Sequence, residues 1–132
     1  MADDVGSVDV ELELIRRATA RFPSAVVRDE LDNALGDELP TIQIQVVGGG
    51  DDGIRLDRVL VDIDVYHSTR AAAIALAAEV RAWVLGELRS SVSVTAVIGR
   101  TGTISRPAVR PYENTRLRRV GATYEIYCHP VS

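Results

Sequence analysis

Asp62 and Asp64, two residues apart in DRVLVDIDVYH (57–67), are the clearest candidates for chemistry in this chain. In an extended chain alternate side chains point to the same side, about 7 Å apart. With Asp57 or Asp51 they would offer the several oxygens a divalent cation needs, and a metal-dependent nuclease is the enzyme such a pair would suggest. Local spacing fixes no third ligand, and solvent or arginine partners explain the carboxylates equally well, so no metal site is assigned. His67 and His129 are too few and too isolated to indicate a metal cluster.

Other chemistries drop out by composition. Cys128 is the single cysteine, which excludes an internal disulfide or a paired-cysteine zinc site and leaves a buried thiol as the expectation. All fifteen basic residues are arginine, so there is no lysine for a Schiff base, a general base or a phosphate loop. The glycine cluster GGGDDG (48–53) matches neither GxxxxGK(S/T) nor GxGxxG, and Asp51 and Asp52 would repel phosphate. It is expected to be a hairpin connection. No catalytic residue and no cofactor is expected.

The connection at 99–116, GRTGTISRPAVRPYENTR, has no clear periodicity and is too long for a routine hairpin loop. Arg100, Arg106, Arg110 and Arg116 punctuate it, Pro107 and Pro111 stiffen it, and Tyr112 sits among them. Net acidity and few interleaved aromatics argue against nucleic acid. The lack of a nearby nucleophile–base or carboxylate pair argues against an enzyme lid. A docking arm for another protein, or for a second copy, is the preferred reading, with a disordered surface loop as the bland one.

The elements that would position these residues centre on 57–90. Val59, Val61, Ile63 and Val65 alternate with Leu60, Asp62, Asp64 and Tyr66, which predicts a half-buried strand over 58–66. Ser68 or Thr69 is placed to cap a helix in which Ala73, Leu76, Ala77, Val80, Trp83, Val84 and Leu88 share the core face. Ala71, Ala75, Ala78, Ala82 and Gly86 form a smooth strip opposite, explained by helix propensity or by a close subunit contact.

Elsewhere, residues 1–7 are expected to fray, and 8–22 to form a helix with Val8, Leu12, Ile15, Thr19 and Phe22 as its stripe. Ser24 is expected to cap a second short helix with Val27, Leu31 and Leu35 inward and Gly36 as its stop. TIQIQVV (41–47) reads as a strand pairing antiparallel with 58–66, VSVTAVIG (92–99) as a third, and LRRVGATYEIYCHP (117–130) as the last. In the last, Val120, Ala122, Tyr124, Ile126 and Cys128 share a face. The expectation is an α+β fold of order α-α-β-β-α-β-β. A mostly antiparallel four-stranded sheet packs against a long helix, with N-terminal helices, in a single domain over 1–132.

The length of 132 residues suits one domain, and 46% hydrophobic with 26% charged residues is ordinary globular composition. No apolar run approaches the ~20 residues of a membrane span. The N-terminal MADDVGSVDV lacks a signal peptide's basic and apolar regions, so the chain is expected on the cytoplasmic side with no membrane partner. The net charge of −4 divides unevenly: residues 1–66 hold fifteen acidic side chains against six arginines, residues 67–132 four against nine. Solvated surface explains this, and so does an acidic face on one copy meeting a basic face on the next.

The strand ending in VVGG, the strand–helix VDIDVYHSTRAAAIALAAEVRAWVLGEL and the final RPAVRPYENTRLRRVGATYEIYCHP resemble the tail terminator (tail completion) proteins of long-tailed phages, nearest to those of actinobacterial phages and prophages. The likeness covers about residues 40–132 and rests on the order and character of elements, not on a catalytic signature. It implies a non-enzymatic virion protein of siphovirus tails, assembled in the host cytoplasm. There it forms a homo-oligomeric ring, commonly a hexamer, at the head–tail junction. The ring would end tail-tube polymerisation and join the tail to the head connector or neck protein, while DNA passes through without specific recognition. The partners implied are the chain itself, the tail tube protein and the connector. On this reading the interface would draw on Ala71, Ala75, Ala78, Ala82, Arg100, Arg106, Arg110, Tyr112 and Arg116, with Asp62 and Asp64 facing the lumen. The alternative is a cytoplasmic αβ-sandwich module that binds a protein or small acidic ligand through the 99–116 loop.

Overall fold

A computed structural model of the protein describes residues 9–32, 35–51, 57–114 and 116–131. The expected fraying at 1–7 and the tip of the glycine-rich connection lie outside the described residues. Helix α1 (Val10–Arg21) leads to a short strand β1 (Val26–Arg28) and a 3-10 turn (Leu35–Asp37). Strands β2 (Thr41–Asp51) and β3 (Asp57–His67), helix α2 (Arg70–Leu85), and strands β4 (Ala96–Arg110) and β5 (Arg118–Pro130) follow. The five strands form one mixed sheet in the order β1-β2-β3-β5-β4. β2, β3, β5 and β4 pair antiparallel, and only β1 runs parallel to its neighbour β2.

The strand–helix unit forms for the reasons its pattern gives. Val61, Ile63 and Val65 turn inward from β3 and are almost completely buried. Thr69 caps α2, its Oγ1 accepting from the Ala72 amide at 3.1 Å. Ala73, Ala77, Val80, Trp83, Val84 and Leu88 join the same core, as do Val120, Ala122, Tyr124, Ile126 and Cys128 of β5. Phe22 at the end of α1 meets Trp83 edge-on at 5.8 Å, an arrangement worth about 1 kcal/mol beyond its buried area. Both helices therefore cover one face of the sheet.

Four expectations are corrected. The second N-terminal helix does not form; Val26 and Val27, both β-branched, extend instead, and the Val26 amide donates to the Pro40 carbonyl at 3.0 Å. Helix α1 is present but faces differently: Val10, Leu14 and Ala18 are buried, while Leu12 and Thr19 are exposed. A polar pair explains the rotation. Glu13 accepts from Arg17 at 2.6 Å, and both reach the 91–96 segment, Arg17 Nη2 donating to the Ala96 carbonyl at 2.9 Å and the Thr95 hydroxyl to Glu13. The third strand does not begin at Val92, because the Ser93 hydroxyl accepts from the Thr95 and Ala96 amides and turns the chain, leaving Val94 exposed. Finally, most of the expected irregular connection is β4 itself, which runs to Arg110 with register shifts at Ile98/Thr101, Thr103/Ser105 and Ser105/Ala108. Those bulges erase the alternation that would have marked a strand.

Candidate functional site

The sheet face away from the helices is polar, and its centre is Asp64, only 2% exposed. β3 fixes its position opposite Gly121 of β5, while Arg110 and Arg119 stand opposite each other across β4 and β5. Arg110 Nη1 donates to Oδ1 and Arg119 Nη2 to Oδ2, each at 3.0 Å. Gly121 makes room for this, since a Cβ there would lie 1.8 Å from Asp64 Oδ1 and 2.7 Å from Arg110 Nη1.

The network continues across the sheet. Arg119 lies over the Tyr66 ring at 5.9 Å, and the Tyr66 hydroxyl donates to Gln43 Oε1 at 2.9 Å. Gln43 Nε2 in turn donates to the Asp29 carbonyl at 3.0 Å. Burial pushes the Tyr66 hydroxyl up to about 12, so it stays a neutral donor. Tyr112 packs edge-on against Tyr66 at 5.2 Å, with Leu35 and Leu117 beside them. One connected polar layer thus runs from β4 to the end of β1.

This geometry decides what the expected site residues can do. Asp64 is enclosed by two guanidiniums, so a cation approaching it would meet positive charge, and its burial in the single chain keeps it from facing a lumen. Asp62 is half-buried and accepts from the Thr123 hydroxyl. Among the described residues no group of three His, Cys, Asp or Glu side chains is placed to hold a metal. Cys128 is buried in the core, and that burial pushes its thiol up to about 12, which makes it a poor nucleophile.

The arginines of the 99–116 segment divide into two sets. Arg100 lies over the Tyr127 ring at 5.3 Å and 3.6 Å from Glu125, and Arg110 is bound to Asp64, so both engage their own chain. Arg106 and Arg116 are exposed and make no ion pair with any described carboxylate. Ala71, Ala75, Ala78 and Ala82 are all exposed along α2.

Arg106 borders a groove of about 390 Å³ between α2 and the end of β4. Arg70, Ile74, Ala78 and Arg81 form its helical wall, and Pro107, Ala108 and Val109 its strand wall, over a floor at Val120. Arg70, Arg81 and Arg106 therefore surround an apolar trough without a described carboxylate to neutralise them. Sequence reasoning found Ala78 and Arg106 but missed Arg70, Ile74 and Arg81. Their spacing of four and seven along one stripe was a visible signal, but its meaning depended on β4 reaching alongside the helix.

At the opposite sheet edge the charge reverses. Asp29 and Glu30 follow β1 directly and are exposed, and Arg28 is held by Asp32 and Glu38 at 2.9 Å each. By the strand register, the ends of β1 and β4 that bear these patches lie at the same end of the sheet.

These elements define an open-faced α+β sandwich, two helices on one side of a five-stranded mixed sheet, with edges of opposite charge. No protein-family model matches the sequence, and no curated protein is significantly similar to it. Among the described residues no helix is long and apolar enough to cross a membrane.

Proposed function

We propose that this protein is a non-enzymatic assembly protein of the tail-terminator kind, forming a closed ring of identical copies at the head-proximal end of a phage tail tube. The ring halts tube growth and presents a surface to the head connector, and DNA passes through its centre. The observation that carries the reading is the pair of oppositely charged sheet edges at one end of the molecule. A copy built this way has a surface that another copy complements but that it does not itself satisfy. Repeating one head-to-tail contact closes a ring when the rotation per copy divides a full turn. The resemblance of residues 40–132 to tail terminators supplies the tail context.

The test is the mass of the protein by light scattering over a range of concentrations, alone and with tail-tube protein. A discrete closed oligomer, with a hexamer as the leading size, is expected in at least one of these conditions. A monomer at every concentration and in both settings overturns the proposal. Phage head, connector and tail-tube genes are expected beside this one.

A further inference from the structure

We infer that the groove between α2 and β4 receives the acidic end of β1 from a second copy, so that Arg70, Arg81 and Arg106 of one chain face Asp29 and Glu30 of the next. This assignment rests on the ring reading and names the contact that would build it.

Arg70, Arg81 and Arg106 form no ion pair with any described carboxylate. Their three guanidiniums are gathered around Ile74, Ala78 and Val109, in a groove whose described lining contains no carboxylate. Such a trough suits an occupant that brings negative charge together with some apolar surface. The end of β1 has both: Asp29 and Glu30 are exposed, and the half-buried Val26, Val27 and Leu31 lie on either side of them.

Topology makes the match usable. β1 and β4 are the two outermost strands of the sheet, so a patch on one cannot reach the groove beside the other within the same chain. Four inter-strand steps of about 4.8 Å separate them. Both patches also lie at the same end of the sheet, so a neighbour can engage by rotating about an axis without inverting. The contact is heterologous, as a ring requires.

The test uses two charge-reversed full-length proteins, Arg70→Glu/Arg106→Glu and Asp29→Arg/Glu30→Arg, with circular dichroism and thermal melts to establish that each folds. Sedimentation is measured for the native protein, each variant alone and an equimolar mixture. Each variant alone is expected to lose the assembled species that the native protein forms. The mixture is expected to regain it, because a reversed groove then meets a reversed edge and a native groove meets a native edge. Variants that assemble like the native protein overturn this contact while leaving the ring reading intact. Variants that fail alone and also fail when mixed overturn it too, since the two patches then do not meet each other. A native protein that never assembles overturns both. Duplex DNA retained by the native protein and released by the arginine variant, with assembly unchanged, would reassign the groove to phosphate and overturn the contact.

Discussion

Asp64 shows how one buried side chain organises a neighbourhood. Its two oxygens are each taken by a different arginine, one from β4 and one from β5, so the carboxylate pins the outer strand to the sheet. Removing its charge leaves two half-buried guanidiniums facing each other without the carboxylate between them. Asp64→Asn is expected to lower stability by about 3 kcal/mol, at the low end for breaking a buried pair because both arginines keep part of their surface in water. Gly121→Ala is expected to act in the same direction, because the new Cβ would occupy the space that Asp64 and Arg110 share. Urea unfolding of both variants measures this, and an Asp64→Asn midpoint equal to the native one would show the cluster to be ornamental. The sequence announced Asp64 as a candidate but not its partners, which lie 46 and 55 residues away.

At the scale of elements, α1 and β4 carry the instructive differences between pattern and fold. The periodicity of α2 and β3 was readable because their inward positions are uniformly aliphatic and each element faces a single layer. Helix α1 hid its inward face because Glu13 and Arg17 sit on it and are satisfied only by residues near 91–96. Burial pushes the Glu13 carboxyl up, but hydrogen bonds from Thr95, Arg17 and Ser93 outweigh it and leave it below its ordinary 4.5. A carboxyl lowered on folding contributes stability that is fully present above its unfolded value and is lost as pH falls through the folded one. The native protein is therefore expected to lose stability below about pH 4.5, and Glu13→Gln to be less stable at pH 7 with a shallower acid slope. Denaturant midpoints at pH 7 and pH 3 for both proteins provide the comparison. In β4 the obstacle was different: three register shifts broke the period of two, so a strand read as an irregular arm.

For the whole molecule, the exposed Asp29 and Glu30 beside β1 and the groove arginines Arg70, Arg81 and Arg106 beside β4 lie at opposite edges of the sheet. Contacts between such exposed edges are screened by salt, since the Debye length falls from about 10 Å at 0.1 M to about 3 Å at 1 M. Assembly through them is expected to weaken steadily as sodium chloride rises over that range, with the fold itself unchanged by circular dichroism. Assembly that strengthens with salt would point to apolar surface as the driving term.

The irregular course of β4 has a further consequence. An open outer strand with regular amides and carbonyls invites any extended chain to add to it, and repeated addition ends in amyloid-like stacks. Here the bulges disturb the spacing of those groups, Pro107 offers no amide hydrogen, and arginines crowd the margin. The outer strand is thus a poor template for backbone addition, and a partner at this edge would have to be chosen by side chains and not by backbone.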